Sequence, residues 1–290
     1  MTEPRHDTAP RRPATARPRR RGEHDARPPE RDELEAIERQ LAELPRYAGA
    51  TLFERRELGA VLVHQSGRGP GLNFAACIRW SSESVARMMR ALEDEMRRSG
   101  EWPAIVVAEG LTQPADLPLW LETNGWVAMD GERVMWTRHP PLVPHLDPSL
   151  RVEAVTRRTA DEFERVEREV FGLAQSRAAE RAETLASAVD DGQLRGFLVR
   201  LRGTVVATAR LAPGDGLAGI FGVGVAAEHR RRGYGSLVTA IATRAGLASG
   251  SRLVWLSVDE DNDPAVSVYR ELGYTPSFSW TRWIGSAARR

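Results

Sequence analysis

The hydrophobic pattern of the first half of the chain changes period several times. Between residues 81 and 100, apolar positions recur every three or four residues, a spacing that predicts an amphipathic helix. Further helices are predicted at 31–43 and, shorter, at 115–125. Compact apolar runs between the helices predict strands. These strands cover 50–56, 60–64, 73–80, 104–109 and a run that ends at Arg138.

The second half shows a clearer succession of elements. Helices are predicted at 161–170, 178–189, 234–247 and 264–272. Strands are predicted at 150–157, 194–203, 204–212, 217–226, 252–258 and 278–284. The order β-α-α-β-β-β-α-β-α-β indicates a mixed sheet covered by helices. The predicted fold class is therefore α/β, in its α+β form with a mixed sheet.

Proline and arginine divide the chain into segments. Residues 1–30 are rich in both and have almost no apolar side chains, which predicts a disordered tail. The prolines of the stretch 139–150 predict a linker at 141–150, between a domain at 31–140 and another at 151–286. The elements that lead to LETNGW in the first half match those that lead to RELGYT in the second. This match indicates a diverged duplication.

Composition limits the classes of partner. With 41% hydrophobic and 28% charged residues, the chain has the composition of a soluble globular protein. Its net charge of +1 gives no general attraction to nucleic acid or anionic lipid. No apolar run is long enough to cross a membrane and no secretory signal is visible, so the predicted location is the cytoplasm. The single cysteine, Cys77, excludes an intramolecular disulfide and is expected to be a buried small hydrophobe.

A basic turn containing glycine follows the predicted strand 217–226. Its residues are Arg230, Arg231, Arg232, Gly233, Tyr234 and Gly235. Glycine permits positive φ and leaves no Cβ in the way of an approaching group. The unpaired amides at a helix start attract negative charge. The turn is therefore either an anion site suited to a pyrophosphate or a strand-to-helix turn whose glycines serve geometry alone, and it matches neither common nucleotide-binding loop.

A second group of residues lies where the strand 252–258 ends. Asn262 follows that strand, Asp263 is the expected N-cap of the next helix with Pro264 at its first position, and Tyr269 lies on the helix. Strand ends beside a helix-start anion site are where ligands bind in open α/β sheets. With Arg-x-x-Gly-x-Gly upstream and ELGY downstream, residues 151–285 resemble a GNAT superfamily N-acetyltransferase. The whole chain is similar to a tandem form of that family with a degenerate N-terminal half.

The resemblance implies direct transfer of an acetyl group from acetyl-CoA to a primary amine of a small molecule or peptide. It implies that Tyr269 protonates the departing thiolate, a plausible transfer for a phenol. The implied cofactor-binding residues are Val223, Val225, Arg230, Arg231, Arg232, Gly233, Tyr234, Gly235, Ser236 and Asn262. No metal is implied, and a homodimer stays open. No general base is identified: the nearby candidates, none of them favoured, are Glu228, His229, Asp259 and Glu260.

The first half lacks the basic turn. Its corresponding stretch, IRWSSESVARMM, has no glycine pair and no arginine cluster before the helix. We therefore expect two GNAT-like domains, each a mostly antiparallel twisted sheet flanked by helices, with only the second retaining a cofactor cradle. Core packing is favoured over an acceptor pocket for the tryptophans of the first half. They are Trp80, Trp102, Trp120, Trp126 and Trp136.

Three other interpretations stay open. An acyl-CoA-binding module without turnover would explain the missing base. A relationship to mycothiol synthase, an acetyltransferase with a similar layout of two halves, has no residue motif here to support it. A nucleic-acid-binding protein could use the Arg/Pro-rich tail as an arm, but the near-neutral net charge and the lack of an aromatic–basic pattern argue against it. A solvated tail is the favoured interpretation of residues 1–30.

Overall fold

The computed structural model describes residues 27–48, 50–64, 73–98, 103–143 and 148–285. The first half below means 27–143 and the second half 148–285. The helices within these ranges are α1 (Arg31–Glu43), α2 (Val85–Arg98), α3 (Leu117–Thr123), α4 (Ala160–Phe171), α5 (Ala178–Asp190), α6 (Tyr234–Ala248) and α7 (Asp263–Glu271). The strands of the first half are β1 (Thr51–Arg55), β2 (Ala60–His64), β3 (Phe74–Ala76), β4 (Ala104–Ala108) and β5 (Val127–Thr137). Those of the second half are β6 (Leu150–Ala154), β7 (Arg195–Leu201), β8 (Thr204–Gly214), β9 (Leu217–Val225), β10 (Val254–Asp259) and β11 (Thr275–Ile284).

The type and order of the predicted elements are confirmed, with ends shifted by a few residues. Three features of the sequence analysis lie outside the described residues: tail residues 1–26, linker residues 144–147 and Trp102. Trp80, Trp126 and Trp136 are buried, as expected of core side chains. Cys77 is partly buried, and burial raises the pKa of its thiol to about 12, which leaves it a poor nucleophile.

One continuous sheet runs through both halves, in the order β1-β2-β3-β4-β11-β5-β10-β9-β8-β7-β6. Only β3–β4 and β9–β10 are parallel neighbours; the other pairs in this described sheet are antiparallel. The mixed α/β class is thereby confirmed. The two mostly antiparallel sheets expected of the two halves are joined edge to edge.

The joint is an exchange of final strands. The last strand of the first half, β5, lies between β10 and β11 of the second half. The last strand of the second half, β11, lies between β4 and β5 of the first half. Each half therefore completes its hydrogen-bond ladder with a strand of the other.

Helices cover both faces of the sheet. In β10, Trp255 packs in a cluster with α1, whereas Val254 and Leu256 pack in a cluster with α6. Because alternate residues of a strand point to opposite faces, α1 and α6 lie on opposite sides. By the same alternation α4 and α5 share the face of α1, and α2, α3 and α7 share the face of α6.

Candidate active site

The turn between β9 and α6 leaves a row of backbone amides without partners. Arg231 and Gly233 have left-handed backbone conformations, with φ of 60° and 81°. Among the described residues, no carbonyl accepts a hydrogen bond from the amides of residues 231–236, and the first helical bond runs from Leu237 N to Gly233 O at 2.9 Å. Left-handed residues in such a turn bring successive amides into one concavity, and the dipole of α6 adds positive potential. The turn has the geometry of an anion cradle.

The two glycines keep this cradle open. A Cβ on Gly233 would meet no atom within 4 Å, and one on Gly235 would meet only Val225 Cγ2, at 3.5 Å. Internal packing therefore does not explain the glycines, although the φ of Gly233 favours glycine. Arg230 Nε donates to the Val225 carbonyl at 3.3 Å, while Arg231 and Arg232 are exposed. The guanidinium groups of the turn are thus available to an anionic ligand.

An opening in the sheet begins beside the cradle. The parallel strands β9 and β10 pair only from Ala218 with Val254 to Ile220 with Leu256. Beyond that point β9 continues along β8 as far as Val225, and β10 continues along β5 as far as Asp259. The two strands therefore diverge towards their carboxyl ends. An edge of β9 is left without a strand partner among the described residues.

A bulge shapes the edge of β9 that borders the opening. The register passes from Arg210–Phe221 to Thr208–Gly224, so Gly222 and Val223 together face Ala209. The Ala226 amide donates to Val206 of β8 at 3.0 Å. Because strand residues alternate in direction, Val223 and Val225 present their backbone groups to the opening instead. These are the two valines that the sequence analysis singled out.

Tyr269 and Asn262 lie beyond the end of β10, on the other side of the opening. Tyr269 is 8% exposed, and its hydroxyl makes no hydrogen bond to a described residue. Burial and the nearby Asp259 raise the pKa of Tyr269 to about 12, so the phenol keeps its proton. Asn262, not Asp263 as expected, is the N-cap of α7, because its Oδ1 accepts from Ala265 N at 3.2 Å. Its Nδ2 group remains unpaired among the described residues.

Comparison with known proteins gives the family of the second half. Residues 157–274 match the model of the acetyltransferase (GNAT) family. The second half of the chain belongs to the GNAT family. An uncharacterized N-acetyltransferase of Bacillus subtilis (strain 168), YobR, is 36% identical over 62 residues, which are 21% of this chain. The chain spans about a quarter of the length of that curated relative.

Solved structures share the fold across both halves. A GCN5-related N-acetyltransferase from Kribbella flavida has a TM-score of 0.66 and 20% identity, over 86% of this chain and 96% of its own. A tandem GNAT protein from the clavulanic acid biosynthesis pathway has a TM-score of 0.61 and 17% identity, over 78% of each chain. At these identities the likeness concerns the fold alone.

In the first half, the position that corresponds to the opening between β9 and β10 is filled by the chain itself. After β3 and β4 pair at Ala75 and Ile105, Gln113 takes the place between the diverging strands. The Gln113 amide donates to the Ile78 carbonyl, and the Trp80 amide donates to the Gln113 carbonyl, both at 3.0 Å. The backbone groups of the first half that correspond to those bordering the opening in the second half are therefore already paired.

The GNAT half contains polar residues that the sequence analysis missed. Glu167 of α4 forms a buried ion pair with Arg210 of β8, on the face of the sheet opposite α6. Glu167 lies 55 positions before Gly222, yet a Cβ on Gly222 would come within 2.7 Å of its Oε1. The only signal in the sequence was the spacing of Glu167 on the buried face of the helix 161–170. That spacing does not reveal what the helix covers.

The acidic residues considered in the sequence analysis are exposed, whereas His229 Nδ1 is buried and has no hydrogen-bond partner among the described residues. Glu228 is exposed and lies 3.6 Å from His229 Nε2, and Glu260 accepts from Ser279 Oγ at 2.6 Å. Asp259 is exposed at the end of β10. Within the described ranges, no group of His, Cys, Asp and Glu could hold a metal ion. None of the helices described there is long and apolar enough to cross a membrane.

Proposed function

We propose that the chain is an N-acetyltransferase that moves an acetyl group from acetyl-CoA directly to a primary amine. One observation carries the proposal: the unpaired amides of residues 231–236 lie at the end of the opening between β9 and β10. A row of amides at a helix start suits a pyrophosphate. A strand edge without a strand partner suits an amide-containing arm such as pantetheine.

Each predicted residue has a role in this proposal. The amides of 231–236, with Arg230, Arg231 and Arg232, would hold the pyrophosphate of acetyl-CoA. Val223 and Val225 would pair with the pantetheine arm, and a β9 amide at the bulge would polarise the thioester carbonyl. Asn262 would donate through its free Nδ2 to the same arm. Tyr269 would give its proton to the departing thiolate, and acetyl-CoA supplies the activated acyl group.

Only the second half is proposed to be active. In the first half Gln113 pairs with the backbone groups that a pantetheine arm would need. The residues before α2 provide no left-handed glycine, and Glu83 places a negative charge at the corresponding helix start. Since a cradle and an open strand edge are both required, we expect a single equivalent of acetyl-CoA to bind.

Calorimetric titration of acetyl-CoA into the intact protein tests the cofactor site. We expect one equivalent to bind, and we expect Gly233→Glu to abolish binding by crowding the cradle and adding negative charge. Gly250→Glu is the matched control, because Gly250 has a similar positive φ of 95° and open space around it, but lies at the far end of α6. Unchanged affinity in Gly233→Glu would overturn the cradle.

A thiol-release assay then tests transfer. Acetyl-CoA is incubated with 2-phenylethylamine, spermidine, an aminoglycoside and a peptide with a free N-terminus, and the acetylated product is verified by mass spectrometry. Release of CoA with one of these amines, lost in Gly233→Glu, is the expected result. Binding of acetyl-CoA without acetylation of any of these amines would instead indicate an acyl-CoA-binding module.

A further inference from the structure

A buried carboxylate lies against the bulge of β9, on the face of the sheet that α4 covers. Glu167 is 5% exposed, and its Oε1 would be 2.7 Å from a Cβ on Gly222. Its Oε2 accepts from Arg210 Nη2. The α6 helix, with the amide cradle at its start, covers the other face. The carboxylate and the cradle therefore approach the opening in the sheet from opposite sides.

The polar groups around Glu167 are incompletely paired. Thr208 is fully buried and Arg210 is 9% exposed, yet Thr208 Oγ1 and Arg210 Nε have no hydrogen-bond partner in the part of the chain that the structure describes. Glu167 Oε1 accepts no hydrogen bond from a described residue either. Buried polar atoms in folded proteins are nearly always paired, so unpaired ones next to each other indicate a place for a polar ligand or an ordered water.

We propose that Glu167 is the general base of acetyl transfer, an inference that rests on the proposed function. Its carboxylate accepts a hydrogen bond from the acceptor amine, directly or through one water, and takes the proton that the nitrogen loses as the nitrogen–carbon bond forms. The carbon–sulfur bond of the thioester breaks, and the sulfur receives the proton of Tyr269. Glu167 as the base and Tyr269 as the acid then act from opposite faces of the sheet, and the reacting carbonyl lies in the opening between β9 and β10.

The surroundings of Glu167 adjust its proton affinity. Burial raises the pKa of Glu167, and Glu164 on the same helix adds to that effect, while Arg210 of β8 and Arg181 of α5 oppose it. From β9, the ring of Phe221 lies 5.8 Å from the guanidinium carbon of Arg210, and Tyr47 stacks on that ring with centroids 5.7 Å apart. Because a base must be ionised, turnover falls as the pH drops through this raised pKa. The acidic limb therefore lies above the ordinary glutamate value of about 4.3.

The test compares Glu167→Gln with Glu164→Gln in the intact protein. The first probe is 2-phenylethylamine, because the exposed side chains of Phe171 and Leu173 extend the same end of α4 with apolar surface. We expect kcat in Glu167→Gln to fall about 10²–10⁴-fold, with acetyl-CoA affinity unchanged and the acidic limb of the pH profile lost. The basic limb set by the amine itself should remain.

Glu164→Gln is the matched control. Glu164 is 4% exposed, lies one turn before Glu167 and pairs with Arg181 instead of Arg210. Its loss removes a comparable buried ion pair without changing the residue at the bulge, so the pH profile should keep its acidic limb.

Two outcomes in the variants would count against the inference. If Glu167→Gln had the same turnover and the same pH profile as the wild type, the inference would be overturned. An acidic limb kept in the residual activity of Glu167→Gln, or of Glu167→Ala if Glu167→Gln does not fold, would show a structural role only, because neither side chain is a carboxylate. If wild-type protein acetylates another amine of the panel better, that amine replaces the first probe; if it acetylates none, the proposed function itself fails.

Discussion

At the scale of single residues, two neighbouring tyrosines of the second half differ in how their hydroxyl groups are paired. Tyr269 and Tyr274 lie with ring centres 6.1 Å apart in the same apolar cluster. The Tyr274 hydroxyl is paired with Thr243 Oγ1 at 2.7 Å, whereas that of Tyr269 has no partner among the described residues. Tyr269 is a buried phenol whose pKa is raised to about 12, so it stays protonated at neutral pH.

Replacing Tyr269 by Phe removes that proton while keeping the ring. We expect acetyl-CoA affinity to be unchanged and kcat to fall about 10²-fold or more, as loss of a general acid does. Because the raised pKa keeps Tyr269 protonated, wild-type activity should show no loss from its ionisation up to about pH 10. Steady-state thiol-release rates from pH 6 to 10, with calorimetric affinities, measure both effects.

The control for this prediction is Tyr274→Phe. It removes a buried, paired hydroxyl and should lower the free energy of unfolding by about 1 kcal/mol without slowing turnover. Equal rates in wild type and Tyr269→Phe would remove Tyr269 from the proposed mechanism and leave it as a core residue.

Residue-level prediction of geometry succeeded where the residues are contiguous in the chain, whereas the ligands of those residues stay predictions. The turn 230–235 could be recognised from six adjacent residues, because a helix start and its glycines are local features. Glu167 could not, because its position beside Gly222 depends on how α4 crosses β9. The cap of α7 was misplaced by one residue for a local reason: Asn262 and Asp263 both have side chains suited to an N-cap, and only the backbone conformation decides between them.

At the scale of elements, α1 joins the two halves. Its Gln40 donates through Nε2 to the Gly214 carbonyl at 2.5 Å and accepts from Trp255 Nε1 at 2.7 Å. At its start, Glu33 accepts from Arg138 Nη2 at 2.6 Å and lies 3.6 Å from Arg252 Nε. The apolar period of α1 predicted a helix correctly. Its contacts with the second half depend on the strand exchange and were not predictable.

The ion pair of Glu33 should make stability depend on pH. The hydrogen bond from Arg138 lowers the pKa of Glu33, and Arg252 acts in the same direction, against the effect of burial. A lowered pKa in the folded state means stability that is present above the unfolded value and lost as the pH falls through the folded value. We expect Glu33→Gln to lower the free energy of unfolding by about 1–3 kcal/mol at pH 7.

Urea unfolding at pH 7 and at pH 3 measures this difference, which should shrink at the lower pH. Glu35→Gln is the control, since Glu35 pairs with Arg31 on the exposed face of the same helix. Its effect should stay below about 1 kcal/mol at both pH values. An equal loss at pH 7 and pH 3 in Glu33→Gln would mean that packing, not charge, explains the contribution of this side chain.

At the scale of the whole molecule, the two halves share one continuous sheet. The similar order of elements in the two halves was predictable, since LETNGW and RELGYT end matching helix–strand–helix series. The exchange of β5 and β11 was not, because a strand has the same apolar pattern whichever neighbour it pairs with. The exchange leaves neither half with a complete ladder of its own. It also places the proposed active half in contact with a half whose opening is closed by Gln113.

The exchange predicts that the halves will not fold separately. In residues 148–290 alone, β10 would lose its partner β5, and β11 would lose both of its neighbours. An unpaired edge and a displaced apolar strand favour aggregation, so we expect this fragment to be insoluble and unable to bind acetyl-CoA. Co-expressed with residues 27–143, it should form a one-to-one complex that binds acetyl-CoA, as measured by size-exclusion chromatography and calorimetry. Intact protein with a protease site replacing residues 144–147 is the control, and its cleaved halves should stay associated. A soluble, cooperatively unfolding fragment 148–290 with full affinity would instead mean that β11 can fold back beside β10, making the exchange dispensable.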